Sequence, residues 1–270
     1  IFIRTFFGVN EVGLIINDRN LMLLFAAMTS LLIITIVGFL DDLIINKSKD
    51  SSAGLRQWQK PLLTLTAAVP LMVVSAGTTF MYFPIIGKIN FGIFFALVLV
   101  PIGLVGASNM VNMLEGYNGL GTAMGIIYIG MLGLYTVVNQ RYVAALICMT
   151  VFFSLLAFYY YNKYPAKIFP GDSLTYLLGA TIAIVAIIGN VERAALVSSI
   201  PFLIEFVLKA RSKFKAQSYG YYYNGKIKVD YKKIYSLPHL FARSGKYTEK
   251  QIVYFMMGIQ LICSLAIFLV

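Results

Sequence analysis

Four short polar segments stand out in a chain that is otherwise strongly apolar. The densest is NMVNMLEGYNGLG, residues 109–121, which places three asparagines and a glutamate within ten positions. The other three segments are, in chain order, GFLDD with Asp41 and Asp42, IFPGDS with Asp172, and HLFARSG with His239. These side chains are the candidates for chemistry, because carboxylates, amides and imidazole are the groups that bind metals, orient phosphates and move protons.

The chemistry that these residue types favour is metal-assisted work on phosphates. Mg²⁺ prefers oxygen ligands and is typically held by one or two carboxylates together with substrate phosphates, while nearby Lys and Arg neutralise phosphate oxygens. Asn109 and Asn112 are three residues apart, so they share a face of a helical turn. One amide oxygen can bind metal while the other amide orients substrate.

Each segment also has an ordinary structural explanation. Asp41 and Asp42 fit a solvated helix end, and the two asparagines 109 and 112 fit hydrogen bonds between helices. Asn118 followed by glycine fits a plain turn, and Asp172 fits an N-cap of the next helix. The functional interpretation therefore depends on whether the segments converge on one place.

The elements that must position these residues are membrane-spanning helices. The chain has 270 residues, 59% hydrophobic and 12% charged, whereas soluble domains carry about 25% charged residues. Apolar runs near 20 residues span a bilayer, and helices satisfy their own backbone groups in lipid. The sequence predicts an all-α polytopic membrane protein with about eight spans: 21–40, 61–79, 91–107, 120–138, 142–161, 174–190, 193–209 and 251–269.

The distribution of positive charge predicts the orientation. Of the 22 Lys and Arg residues, 17 lie in the connections 41–60, 108–119, 162–173 and 209–250, on one side of the predicted spans. The positive-inside rule puts that side in the cytoplasm. All four polar segments lie there, which favours a joint site over four separate structural roles.

The remaining organisation is simple. The chain is predicted to form a single integral membrane domain over 1–270, with a long basic cytoplasmic loop over 209–250. Within that loop, YYYNGKIKV predicts a small β-hairpin at 219–229, since Asn-Gly between such flanks is a strong hairpin signal. The opening IFIRTFFG is too short to span and is interpreted as the tail of an interrupted helix.

The four segments together resemble the polyprenyl-phosphate N-acetylhexosamine-1-phosphate transferase superfamily. GFLDD is similar to its aspartate pair, NMVNMLEGYNGL to its N-x-x-N-x-x-x-G-x-N-G-L signature, and YPAKIFPGDSLTYLLGA to its Y-P-x-x-x-F-x-G-D segment. SLPHLFARSGKYTEKQIV is similar to the family's histidine-containing last loop. The matches occur in family order along most of the chain.

Departures within these motifs favour one branch of the superfamily. The bacterial peptidoglycan enzyme has three consecutive histidines where this chain has only His239, and an aspartate where Asn118 stands. The G-x-N-G-L form resembles the archaeal and eukaryotic dolichyl-phosphate GlcNAc-1-phosphate transferases. Glu115 matches neither branch, so its role is left open. The family fold has ten helices, of which about eight are expected here.

The resemblance implies transfer of GlcNAc-1-phosphate from UDP-GlcNAc to a polyprenyl (dolichyl) phosphate, releasing UMP, as the first step of lipid-linked oligosaccharide assembly for N-glycosylation. It implies Mg²⁺, with Mn²⁺ as an alternative, on Asn112 and Asp172. Asp41 or Asp42 would deprotonate or orient the lipid phosphate, with a covalent aspartyl-phosphate as the alternative route. Lys60 and His239 would meet phosphate.

The same resemblance implies the substrate contacts. Those expected to bind substrate are Asn109, Asn112, Gly116, Asn118, Phe169, Arg211, Lys213 and Lys215, with Asn118 and Phe169 on the uracil and the three cations on the diphosphate and sugar. The expected location is a membrane, with a cytoplasmic active site: the cell membrane of an archaeon or bacterium, or the endoplasmic reticulum of a eukaryote. A homodimer is compatible with the family, and nucleic acid is not an expected partner.

Three rival interpretations remain open at this stage. The first is a bacterial-type undecaprenyl-phosphate hexosamine-1-phosphate transferase that initiates cell-wall or O-antigen polymers. The second is a transporter, which would place charges near mid-span. The one acidic residue within a predicted span is Glu205. A local ion pair with Lys209, four residues later, accounts for it. The third is an inactive scaffold.

Overall fold

A computed structural model describes residues 17–47, 55–56, 58–83 and 87–270, and it is predominantly helical. In chain order the helices are α1 Asp18–Lys47, α2 Gln59–Leu65, α3 Val69–Val73, α4 Val100–Leu114, α5 Leu120–Val138, α6 Tyr142–Asn162, α7 Gly171–Gly189, α8 Glu192–Ser198, α9 Ile200–Arg211, α10 His239–Ala242 and α11 Glu249–Leu265. The predicted interrupted helix at 1–8 lies outside the described residues.

Six helices in the described part of the chain are long and apolar enough to cross a membrane: Asp18–Ile44, Phe95–Leu114, Leu120–Val138, Tyr142–Asn162, Gly171–Gly189 and Glu249–Leu269. The predicted helical, polytopic membrane class is therefore confirmed, while the count of eight spans is not. Two of the predicted spans are interrupted helices. The predicted span 61–79 is divided into α2, a 3-10 turn and α3 near Pro70. The predicted span 193–209 is divided into α8 and α9 near Pro201. In both places proline has no backbone N–H to donate to the preceding turn.

Helix α7 is the centre of the fold. It is the most buried of the six long helices, and it packs against α1 on one side and α4 on another. Two glycines permit this close approach. A Cβ on Gly38 of α1 would lie 2.5 Å from Ser173 Cα, and a Cβ on Gly179 of α7 would lie 2.5 Å from Ser108 Cα in α4. The backbones that carry the polar segments are thereby brought into contact.

Two helices extend further than the hydropathy predicted. α1 continues past Asp41 and Asp42 to Lys47, and α4 runs to Leu114. Asn109 and Asn112 therefore lie on a helix and not in a loop. The extension follows from the sequence, since the polar residues alternate with apolar ones such as Leu43 and Val111 and contain no helix breaker.

Two short antiparallel hairpins complete the fold. β1 Phe80–Phe83 pairs with β2 Gly87–Asn90, a hairpin that the sequence did not predict. β3 Tyr221–Tyr223 pairs with β4 Lys226–Lys228 around Asn224 and Gly225, both with positive φ. That second hairpin confirms the one predicted at 219–229.

Candidate active site

The centre of the site is an ion-pair cluster built from three separate segments. The Nζ of Lys60, at the start of α2, lies 2.8 Å from Oδ2 of Asp41 and 2.9 Å from Oδ2 of Asp172. Burial by itself would lower the pKa of Lys60, but the two carboxylates outweigh it and raise that pKa above its ordinary value. The ammonium therefore stays charged at the centre of the cluster.

Asp41 is fully buried and all of its oxygens are engaged. Its Oδ1 accepts the backbone N–H of Leu55 at 2.7 Å, and its Oδ2 accepts the hydroxyl of Tyr176 at 3.2 Å in addition to Lys60. This carboxylate therefore positions Lys60, and it is in contact with protein donors on both sides.

Asp42 accepts hydrogen bonds from the residues that begin α7. Its Oδ1 accepts the N–H of Asp172 at 2.8 Å, and its Oδ2 accepts the N–H and hydroxyl of Ser173 at 3.2 and 2.8 Å. These are donors at the first turn of α7, so Asp42 caps a helix from a different part of the chain. Gly171 has a φ of +60°, and a Cβ there would lie 2.5 Å from Asp42 Oδ2. The glycine before Asp172 is thus required for the cap.

Two adjoining cavities open beside the cluster. One has a volume of about 530 Å³ and is lined by Lys60, Asn109, Asn112, Glu115 and Asp172, among others. The other has a volume of about 430 Å³ and shares Asn112, Glu115 and Asp172 with the first. Asp172 is therefore the one member of the three-aspartate set that lines both cavities, and Lys60 faces the larger one.

The asparagines of α4 confirm the shared face that their spacing predicted. Both line the larger cavity. The Oδ1 of Asn112 accepts the hydroxyl of Thr175 at 3.1 Å, while the Nδ2 of Asn109 donates to Val105 O at 2.8 Å and to Thr64 Oγ1 at 3.3 Å. These contacts fix the orientation of both amides.

Glu115 lies on the wall between the two cavities. Its Oε2 is buried and has no hydrogen-bond partner among the described residues. Burial raises the pKa of Glu115 to about 7, and the nearby backbone N–H groups of Gly116 and Gly121 offset only part of that effect. This oxygen lies against Gly121 in the first turn of α5, so residue 115 lines both cavities while its Oε2 is turned toward α5.

The oxygens present fit a magnesium ion. Asp172 and Asn112, which carry a carboxylate and an amide oxygen, line both cavities. Mg²⁺ is usually held by one or two carboxylates together with substrate phosphates. Within the described part of the chain, no group of three His, Cys, Asp or Glu side chains could hold a metal by itself.

Several residues predicted to bind substrate lie elsewhere. Arg211, Lys213 and Lys215 line a separate cavity of about 480 Å³ with Tyr231 and Tyr235. Ala216 is the single residue that this cavity shares with the larger one. The cation of α9 that does line the larger cavity is Lys209.

Two further predicted site residues, His239 and Asn118, make contacts within the protein. His239 is buried, its Nε2 bonds Gln217 O at 3.0 Å, and its ring stacks on Tyr231. Burial lowers the pKa of His239 to about 4. Asn118 bonds Glu249 through its N–H and side-chain amide, and its Oδ1 accepts the N–H of Ala166 at 3.2 Å. Both side chains hold loops together, and their contacts with substrate stay predictions.

Phe169 and Gly116 do line the smaller cavity, as expected of substrate-contacting residues. The sequence analysis missed Lys209 as a cavity residue and Tyr219 as a wall of the smaller cavity. The Glu205–Lys209 spacing gave a signal only for their mutual ion pair, which the structure confirms at 3.7 Å. For Tyr219, no motif was available.

A comparison with protein families gives the site its context. The profile of glycosyl transferase family 4 matches residues 24–190, which include the aspartate pair, Lys60, the asparagine motif and Asp172. The chain belongs to this family. Membership agrees with the resemblance seen in the four polar segments and with the six apolar spans.

Curated relatives of the chain come from two branches. A protein of Saccharolobus solfataricus is 38% identical over 95% of this chain and 78% of its own length, and one of Sulfolobus acidocaldarius is 36% identical over 87% and 70%. Both are described provisionally as UDP-N-acetylglucosamine–dolichyl-phosphate N-acetylglucosaminephosphotransferases. A phospho-N-acetylmuramoyl-pentapeptide-transferase of Lactobacillus acidophilus is 35% identical over 65% of this chain and 55% of its own length.

Proposed function

We propose that this protein transfers GlcNAc-1-phosphate from UDP-GlcNAc to a polyprenyl phosphate of the dolichyl type, giving lipid-diphosphate-GlcNAc and UMP. The observation that carries the proposal is the placement of Lys60 and Asp172 in direct contact on the wall of a cavity that Asn112 also lines. The similarity to the two archaeal relatives supports the choice of sugar and lipid.

The transfer exchanges one phosphoanhydride bond for another. An oxygen of the lipid phosphate attacks the β-phosphorus of UDP-GlcNAc, the bond between the β-phosphorus and the bridging oxygen breaks, and UMP leaves with the electron pair. A phosphate monoester has its second pKa near 6, so at neutral pH the lipid phosphate is already mostly dianionic. The reaction then depends on positioning and charge neutralisation more than on a strong base.

The chain's own residues supply that positioning. Lys60 presents its ammonium to phosphate oxygens at the cavity wall, and Asp41 and Asp172 hold it there. Asp172 and Asn112 would hold Mg²⁺, which when bound neutralises negative charge on the diphosphate. Asp42 keeps Asp172 in place by capping α7. The roles of Asp41 or Asp42 as a base or nucleophile on the lipid phosphate stay alternatives within this proposal.

The membrane geometry fits a lipid acceptor. Residues on the outside of the spans are large and apolar, including Phe39 and Leu40 beside the aspartate pair and Phe206 on α9, which also lines the larger cavity. A polyprenyl chain can therefore lie along apolar helix surface while its phosphate reaches Lys60. The positive-inside bias supports a cytoplasmic active site.

The experiment is a UMP-release assay on the purified protein in detergent, with UDP-GlcNAc and a polyprenyl phosphate, with and without Mg²⁺. We expect Mg²⁺-dependent release, at least 100-fold lower in Asp172→Asn, while Asp18→Asn at the opposite end of α1 should match the unsubstituted protein. Near-normal Mg²⁺-dependent turnover in Asp172→Asn would refute the metal assignment. Activity with UDP-MurNAc-pentapeptide but not with UDP-GlcNAc would refute the proposed donor.

A further inference from the structure

The smaller cavity has two aromatic walls that come from different loops. Phe169, on the segment before α7, is 70% exposed, and Tyr219, on the loop after α9, is 48% exposed. Exposed aromatic side chains that line a cavity can stack on a nucleobase. Such stacking occurs with any of the bases, because every base has a π-face. Asn112 and Asp172 line the same cavity, so a ring bound there would have its phosphates near the ion-pair cluster.

We propose that Tyr219 is a nucleotide-contacting residue, whose ring forms a second wall for the uracil base of the sugar-nucleotide donor. This inference rests on the proposed function, because it assumes that the cavity takes a uridine diphosphate sugar. It adds a contact from the last cytoplasmic loop, where the sequence had pointed only to cations and a histidine.

The residue before Tyr219 is fixed by buried hydrogen bonds. The hydroxyl of Ser218 donates to Met113 O at 2.7 Å and to Glu205 Oε1 at 3.4 Å. The other oxygen of Glu205 accepts the N–H of Leu237 at 2.7 Å. The loop is thus attached both to the end of α4 and to α9, so that Tyr219 has a defined position relative to the asparagine motif.

Lys209 holds the other end of the same loop segment. Its Nζ donates to Ala216 O at 2.7 Å and lies 3.7 Å from Glu205 Oε1. Two residues separate Ala216 from Tyr219. The backbone from 216 to 218 is therefore pinned by buried groups, which leaves the ring of Tyr219 as the part that faces the cavity.

Gly116 provides the surface on which Tyr219 rests. A Cβ at this position would lie 3.1 Å from Tyr219 Cδ1 and 3.3 Å from its Cβ. Such distances are tighter than ordinary Cβ contacts, so a methyl group at 116 would require the Tyr219 ring to shift by a few tenths of an ångström. The glycine of the motif thereby allows the aromatic wall to lie directly against the loop that follows Asn112.

The test measures UDP binding and kinetics for Tyr219→Ala, Tyr219→Phe and Tyr222→Ala in the intact protein. Tyr222 is 68% exposed on the hairpin and lines neither cavity among the described contacts, so it is the matched control. We expect Tyr219→Ala to weaken UDP binding and raise KM for UDP-GlcNAc by roughly tenfold, the factor that stacking on one base supplies. For Tyr219→Ala, kcat and KM for polyprenyl phosphate should stay within about twofold, as should every constant of Tyr222→Ala. Tyr219→Phe keeps the aromatic ring and should weaken UDP binding less than Tyr219→Ala.

A second comparison tests the contact with Gly116. Gly116→Ala should raise KM for UDP-GlcNAc, but it should add little in the Tyr219→Ala background, because the displaced ring is already absent. Fully additive losses would contradict the contact. Unchanged or tighter UDP binding by Tyr219→Ala would overturn the proposal, since the ring would then be neutral or an obstruction.

The two proposals fail in different ways. If the unsubstituted protein binds UDP through Tyr219 but releases no UMP with any lipid phosphate, the transferase function fails and the nucleotide contact stands. If it releases UMP normally and Tyr219→Ala behaves like Tyr222→Ala, the contact fails and the function stands. Absence of any UDP binding by the unsubstituted protein would overturn both.

Discussion

Asp42 caps the helix that begins at Asp172, with its Oδ1 accepting the backbone N–H of Asp172 at 2.8 Å. The two residues are 130 positions apart in the chain, and the bond fixes where α7 starts. Because Asp172 lines both cavities, the cap controls the position of the carboxylate that is expected to hold the metal.

The first prediction concerns this cap. Asp42→Ala should lower the free energy of unfolding by about 1–2 kcal/mol, the usual cost of a lost N-cap, and should reduce kcat by at least tenfold as Asp172 shifts. Asp42→Asn keeps one acceptor oxygen and should lose less of both. Thermal unfolding in detergent and UMP release measure the two effects, with Asp18→Asn as control. Lost activity with unchanged unfolding temperature would instead favour direct action of Asp42 on the lipid phosphate.

The second prediction concerns Lys60. Lys60→Ala leaves the buried Asp41 without its cation, so it should cost up to about 3–5 kcal/mol of stability and lower kcat more than it weakens UDP-GlcNAc binding. The double variant Lys60→Met with Asp41→Asn should recover much of the stability but not the activity. Lys232→Ala, an exposed lysine of the last loop, is the control. Full activity of Lys60→Ala would reduce Lys60 to a charge that only orients the chain in the membrane.

The third prediction uses the raised pKa of Glu115, about 7. Between pH 4.5 and 7 the folded protein binds more protons at this group than the unfolded chain, so the Glu115 contribution to stability falls as pH rises through that range. Glu115→Gln should therefore match the unsubstituted protein near pH 4.5 and exceed it at pH 8, by at most about 3 kcal/mol at about 1.36 kcal/mol per pKa unit.

Thermal unfolding at pH 4.5 and pH 8 measures the Glu115 effect. Asp230→Asn, at an exposed carboxylate just after β4, is the control for the loss of an exposed charge. A Glu115→Gln variant that is equally stable at both pH values relative to the unsubstituted protein would show that the carboxylate is solvated.

The fourth prediction concerns His239, whose pKa is lowered to about 4. Between pH 6.5 and 4 the unfolded chain binds more protons at this residue, so its contribution to stability is lost as pH falls through that range. The imidazole is neutral at pH 7 and should act as a hydrogen-bonding group in the loop. His239→Gln should keep kcat within about threefold. His239→Ala loses the hydrogen bond to Gln217 O and the stacking on Tyr231 and should cost about 1–3 kcal/mol of stability, at roughly 0.5–1.5 kcal/mol for each contact.

The same two variants distinguish a structural role of His239 in the loop from the phosphate contact that the sequence predicts. Unfolding temperature and kcat are measured together at pH 7. A loss of kcat beyond 100-fold in His239→Gln, with the unfolding temperature unchanged, would place the imidazole on the substrate phosphate, as the family motif predicted.

The sequence by itself determined the membrane class, the four polar segments and the family. These are local properties: hydropathy is averaged along the chain, motifs are read at fixed spacing, and the Asn224-Gly225 turn depends on two adjacent residues. The shared face of Asn109 and Asn112 followed from helical periodicity alone. Local prediction failed at the spans 61–79 and 193–209, which the structure interrupts near Pro70 and Pro201, because averaged hydropathy does not register a single proline.

Tertiary structure alone decided which atoms face the cavities. Asp41, Asp42 and Asp172 are chemically alike in the sequence, yet one holds Lys60, one caps α7 and one lines both cavities. The cations at 211–215 and His239 lie away from the cluster, while Lys209 and Tyr219 lie at the cavities. The reason is physical: these partners come from segments that are distant in the chain, 112 residues for Lys60 and Asp172 and 130 for Asp42 and Asp172. Their contacts depend on the close helix packing that Gly38 and Gly179 allow.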